Sequence, residues 1–147
     1  ERIIDISEKE DLEWDLLLAP HHCSWHFFNE LSHEEDQTLN KKIISFLEMH
    51  REGAFIIASC KPVKDDKDPP SIAAAKEYKK IVGSEKFIVT MENPNEEEPL
   101  PLHFVITRMG PQRKDLSVNK SIVSSAAVQA VIKTPQTYGK QYFFYKT

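Results

Sequence analysis

Two adjacent histidines, a cysteine and a serine follow a short apolar run in Asp15-Leu-Leu-Leu-Ala-Pro-His21-His22-Cys23-Ser24. The three leucines predict a strand covered on both faces, and the proline removes a backbone donor and ends that strand. In α/β proteins, ligands are held beyond the carboxyl ends of such strands. Imidazoles placed there can coordinate a divalent metal, with one ring nitrogen bound and the other fixed by a neighbour. The plainer interpretation is a pair of ordinary loop histidines.

The elements that would position this loop are predicted from the spacing of apolar residues. Helical spacing predicts helices over 37–50 and 71–82. Apolar runs predict strands over 54–59 and 86–91. A further strand over 102–108 is predicted to pair antiparallel with 86–91.

The last forty residues carry weaker signals. Residues 111–114 predict a small basic turn. A run rich in Ser, Ala and Val predicts a helix over 116–132, and aromatic residues predict a final strand over 142–145. None of these segments carries a functional motif.

Composition favours one globular domain. The chain has 147 residues, of which 40% are apolar and 29% are charged, as is usual for a globular protein. The net charge of −4 argues against a surface that attracts nucleic acid everywhere. No apolar run approaches the roughly 20 residues of a membrane span. The two cysteines, Cys23 and Cys60, are too few for a disulfide framework and favour a reduced, cytoplasmic pair.

The histidine loop resembles a segment of a known family. Asp-Leu-Leu-Leu-Ala-Pro-His-His-Cys-Ser is similar to the D-x-L-K-x-x-H-H-G-S segment of metallo-β-lactamase-fold hydrolases, in the branch that includes the cytoplasmic domain of ComEC-type DNA-uptake proteins. The order of the following strands and helices also resembles that branch, and Lys86-Phe-Ile-Val-Thr90 matches its late strand ending in threonine. The resemblance covers residues 1–108, and 109–147 are interpreted as a carboxy-terminal extension of the same domain.

The resemblance implies a fold, a cofactor and roles for three residues. The fold would be α/β, the carboxy-terminal half of an αββα sandwich with a mixed sheet and flanking helices. Two metal ions, zinc or sometimes manganese, would serve hydrolysis of a phosphodiester or nucleic acid. His22 would be a metal ligand. His21 would be a catalytic group, placed either on the substrate side or behind the metal ligands. Ser24 would hold the loop by bonding backbone N–H groups.

The sequence departs from the family in ways that bear on activity. The main metal motif of the family, H-x-H-x-D-H, does not occur, and Cys23 stands where the family has glycine. The chain begins at Glu1 without an initiating methionine, which favours a fragment or one chain of a split enzyme. We therefore expect an incomplete active site that needs an amino-terminal half or a complementary chain.

Two other functions remain open. A lactamase-like domain without catalysis could serve as an interaction module, which the cysteine and the unusual loop at 61–70 favour slightly. Alternatively, an unrelated α/β domain could use Cys23 as a thiol nucleophile with a nearby histidine.

Overall fold

Three parallel strands form the central sheet, in the spatial order β1-β2-β3. They are β1 Trp14–Leu18, β2 His50–Ala58 and β3 Phe87–Val89. The computed structural model describes residues 2–64 and 69–114, all within one compact unit, Glu1–Leu116. Leu17 of β1 pairs with Ile56 of β2, which pairs with Phe87 of β3.

A helix lies in each connection between neighbouring strands, as parallel pairing requires. Helix α1 spans Arg2–Ile6, α2 spans Lys41–Leu47 and joins β1 to β2, and α3 spans Ile72–Val82 and joins β2 to β3. The Asn40 side chain accepts from the first backbone N–H groups of α2, and Ser71 Oγ accepts from Ala74 N at 3.2 Å at the start of α3. Both are preferred capping residues. Short 3-10 helices lie at Lys9–Leu12, Trp25–Phe27, Ser84–Lys86 and Thr90–Glu92, and Pro20–His22 forms a turn with non-helical backbone angles.

The hydrophobic core lies on one face of the sheet. Alternate residues of β2 on this face, Ala54, Ile56 and Ala58, are buried, since successive strand residues point to opposite faces. Tyr78 of α3 is fully buried there, and its ring lies parallel to that of Phe87 with centroids 5.7 Å apart.

The opposite face of the sheet is also apolar but much less covered. Leu16 and Leu18 are 36% and 61% exposed, and β2 contributes two half-buried residues beside them, Phe55 and Ile57. A hairpin of β4 His103–Thr107 and β5 Gly110–Lys114 covers part of this face. Phe104 packs on Phe55 with ring centroids 5.0 Å apart.

The α/β class predicted from the sequence is confirmed, and the αββα sandwich stays a prediction. The predicted helix over 37–50 is shorter, because chain from His50 onward already belongs to β2. Instead of one mixed sheet, the described residues form a parallel sheet and a separate hairpin. No helix in the described ranges is long and apolar enough to cross a membrane.

The predicted pairing of 102–108 with 86–91 is wrong. Strand β4 pairs with β5, where a basic turn was predicted, through the two-residue turn at 108–109. Thr107 Oγ1 accepts from Met109 N at 3.1 Å and donates to Gly110 O at 3.0 Å. Gly110 supplies a φ of 90° at the turn exit, and an edge strand tolerates the proline that follows it. The predicted helix over 116–132 and strand over 142–145 lie outside the described residues.

Candidate functional site at the carboxyl edge of the sheet

The loop after β1 has an unusual backbone. His21, His22 and Cys23 have φ values of 49°, 56° and 65°, three consecutive residues with side chains in the left-handed region. Each such residue costs about 1–2 kcal/mol relative to a right-handed conformation. Strain of this kind persists only where the surroundings impose it, and it clusters at functional sites.

Buried contacts of Cys23 hold the loop in this conformation. The Cys23 side chain is fully buried. Its N–H donates to Pro20 O at 3.1 Å, and its carbonyl accepts from Ser71 N at 2.8 Å, just before α3. The loop is therefore fastened to the helix layer by main-chain bonds that need no particular side chain.

The His22 ring is fixed to the end of the neighbouring strand. Its Nδ1 lies 2.7 Å from the carbonyl oxygen of Ser59, the residue that follows β2. Because a carbonyl oxygen can only accept, Nδ1 must carry the proton. In the neutral ring this leaves the lone pair on Nε2. Histidines that bind metals commonly have this arrangement, with the far N–H donated to a backbone carbonyl.

The other predicted site residues lie on the same turn. Among the described residues, no hydrogen bond or ion pair involves the side chain of His21, which is exposed. Ser24 is buried, and its Oγ accepts from His26 N at 3.2 Å at the start of the 3-10 helix Trp25–Phe27. Ser24 therefore orders the chain after the histidines by accepting from a backbone N–H group.

Cys23 is poorly suited to act as a nucleophile. Burial, reinforced by the neighbouring Cys60, raises the pKa of the Cys23 thiol to about 12. Burial also raises the pKa of Cys60 to about 11, with a further contribution from Glu92. The thiolate is the reactive form, so both cysteines stay protonated at neutral pH. This weakens the thiol-enzyme hypothesis.

A metal would need ligands beyond those described. No group of three or more His, Cys, Asp or Glu side chains within residues 2–64 and 69–114 could hold a metal ion. His22 supplies one donor, and zinc takes three or four from protein. The described residues alone therefore do not form a metal centre.

The acceptor that orients His22 could not be found from the sequence. Ser59 acts through its main-chain carbonyl, and every residue type has one. Asp15, the acidic residue that precedes the leucines, lies at the other end of β1, where its carboxylate binds Arg51 at 3.0 Å. It therefore does not orient either histidine.

No protein-family model, curated protein or solved structure matches the chain. Its function must therefore be inferred from the geometry of this edge and from the two unlike faces of the sheet.

Proposed function

We propose that the chain supplies one half of a metal-dependent hydrolase of the metallo-β-lactamase type, with His22 as one of the metal ligands. The observation that carries this proposal is the bond between His22 Nδ1 and Ser59 O. It sets the tautomer, orients the ring and leaves the Nε2 lone pair for a cation. The exposed position of His22 keeps that nitrogen available to a second polypeptide.

The two unlike faces of the sheet support the same proposal. Helices cover one face, while apolar residues up to 61% exposed lie on the other. In a four-layer sandwich, two sheets pack through apolar faces and helices cover the outside. A second sheet on the exposed face would lie beside Leu18, four residues before His22, and could bring further ligands to this edge.

The metal and His21 would have different roles in the reaction. A bound zinc or manganese ion would lower the pKa of its water to about 7 and so supply hydroxide at neutral pH. His21, exposed on the same turn, would contact the substrate and donate a hydrogen bond to it. The assignment of a phosphodiester or nucleic-acid substrate rests on the family resemblance alone.

An interaction module is the second candidate. It is favoured by the lack, among the described residues, of any group of three or more side chains that could hold a metal ion. In that case the exposed apolar face would bind a partner sheet, and the strained histidine turn would serve the interface rather than a reaction.

The test is co-expression with the polypeptide encoded immediately upstream of Glu1. The purified complex is assayed for hydrolysis of bis(p-nitrophenyl) phosphate with zinc or manganese, with and without a chelator. We expect chelator-sensitive hydrolysis that falls about 100-fold or more in His22→Ala and stays unchanged in His26→Ala. Equal hydrolysis by the wild type and His22→Ala would refute the ligand assignment. A stable complex that does not hydrolyse the ester would favour the interaction module.

A second variant tests the apolar face independently of the chemistry. Leu18→Lys should leave the isolated chain folded, because the side chain is 61% exposed, but should prevent complex formation by placing a charge in the interface. Leu31→Lys is the matched control, since Leu31 is 50% exposed in the loop after β1. Complex formation that survives Leu18→Lys would exclude this face as the interface.

A further inference from the structure

A groove lies on the helix side of the molecule, away from the exposed sheet face. It runs between the outer side of α3 and the loop that precedes α2, and its volume is about 570 Å³. This is within the range of roughly 300–1,000 Å³ that is typical of small-molecule sites.

The groove has an apolar base and a fixed wall. Leu39 and Ile72 supply apolar surface above the nearly buried Trp25, which is 5% exposed, whereas Ile72 is 48% exposed. His33 packs edge-on against the Trp25 ring with centroids 4.5 Å apart. The loop wall is held by the Asn29 amide, which donates to Thr38 O at 2.8 Å.

Positive charge lines the helical side of the groove. Lys76 and Lys80 are four residues apart and so lie one above the other on α3. Lys80 binds Glu77 at 2.7 Å, so this pair is already neutral. Within the described part of the chain Lys76 makes no ion pair, so its ammonium gives the groove a net positive charge.

We propose that this groove binds a small organic anion with a flat apolar body, of the aromatic carboxylate class. The apolar base would take the body, and Lys76 would pair with the carboxylate. Ile72 and Lys80 are about 12 Å apart along the helix axis at 1.5 Å per residue. A surface of that length is too small for a protein partner, which buries about 800 Å² on each side. It suits a small molecule.

The indole of Trp25 gives this site an internal reporter. Trp25 Nε1 is buried and has no hydrogen-bond partner among the described residues, whereas buried donors in folded proteins are nearly always satisfied. The only other tryptophan is Trp14, whose Nε1 donates to Phe46 O at 3.2 Å. A ligand in the groove should therefore shift the NMR signal of the Trp25 indole N–H. The Trp14 indole N–H lies outside the groove and serves as the internal control.

The experiment is a titration of the full chain with 2-naphthoate, followed by NMR of the two indole N–H groups. Trp25→Phe assigns the signals. We expect the Trp25 signal to shift to saturation while the Trp14 signal stays in place. Lys76→Glu should weaken binding roughly tenfold, equivalent to about 1.4 kcal/mol. Lys9→Glu is the matched control, because Lys9 is exposed and does not line the groove, and should bind like the wild type.

A comparison of 2-naphthoate with its neutral amide shows whether binding depends on the charge of the ligand or on apolar contact alone. Binding of 2-naphthamide should be at least several-fold weaker than binding of 2-naphthoate. Equal binding of the two compounds, an unchanged affinity in Lys76→Glu, or the absence of any saturable shift of the Trp25 signal would each overturn the proposal.

Discussion

Replacing His21 by glycine should stabilise the protein, because glycine removes strain from the histidine turn. His21 has a φ of 49° and an exposed side chain, so little packing is lost. The comparison of interest is His21→Gly with His21→Ala. Both remove the imidazole, but only alanine keeps the Cβ that makes the left-handed conformation unfavourable.

The magnitude follows from two opposing terms. The left-handed backbone costs an L-residue about 1–2 kcal/mol, and glycine loses about 0.5–1 kcal/mol in additional chain entropy on folding. The glycine variant should therefore be more stable than the alanine variant by about 0.5–1 kcal/mol. For a chain of 147 residues, 1 kcal/mol corresponds to a Tm change of roughly 3 °C.

Urea unfolding, followed by tryptophan fluorescence, measures this difference. The matched control is the same pair of substitutions at His26, which lies in the 3-10 helix Trp25–Phe27. There alanine should be the more stable variant, because glycine only adds entropy to the unfolded chain. If alanine were also the more stable residue at position 21, the left-handed turn would not exist in solution and the argument from strain would fail.

Three further outcomes follow from the same contacts. His22→Ala should lower the free energy of unfolding by about 1 kcal/mol through loss of the bond to Ser59. His22→Asn should lose less, because asparagine keeps a donor and tolerates a positive φ. Equal losses of the two variants in urea titrations would contradict this. Tyr78→Phe should leave the free energy of unfolding unchanged or raise it by about 1 kcal/mol, because the buried hydroxyl has no partner within the described residues. A clearly lower Tm of this variant in calorimetry would show that the hydroxyl is hydrogen-bonded. Burial raises the pKa of Cys23 to about 12, so above about pH 9 the unfolded chain releases a proton that the folded chain retains. The free energy of unfolding should therefore fall as the pH rises from 9 to 12, with further contributions from Cys60 and Tyr78, whose pKa values burial also raises. Cys23→Ala should make that fall shallower by roughly 1 kcal/mol per pH unit, and an unchanged slope would contradict burial of the thiol.

Much of the fold could be predicted from local patterns. The apolar run Leu16–Leu18 and the run at 54–59 predicted strands close to their observed positions, because both faces of this sheet are apolar. The prediction that the leucine strand is covered on both faces is wrong, since Leu16 and Leu18 are 36% and 61% exposed. The helix predicted over 71–82 is observed as Ile72–Val82, with Ser71 and Gly83 as its caps, since caps depend on local side-chain chemistry. The hairpin was missed because Gly110-Pro111 is typical of a turn, and only tertiary packing makes it an edge strand.

The candidate site could be predicted only in part. Its two histidines were visible as residue types placed after a strand, but the features that give them a role were not. The positive φ values of His21–Cys23 follow from the burial of Cys23, and the partner of His22 is a main-chain carbonyl. Neither tertiary burial nor a backbone acceptor leaves a signal in the sequence.

The protonation of the His22 ring tests the central claim most directly. Long-range ¹H–¹⁵N NMR correlations of the free chain, at a pH where the ring is neutral, distinguish a ring nitrogen that carries hydrogen from one that carries a lone pair. We expect His22 to have its proton on Nδ1 and its lone pair on Nε2, whereas exposed His21 should populate both tautomers. A proton on Nε2 of His22, or the same mixture as in His21, would contradict its assignment as a metal ligand.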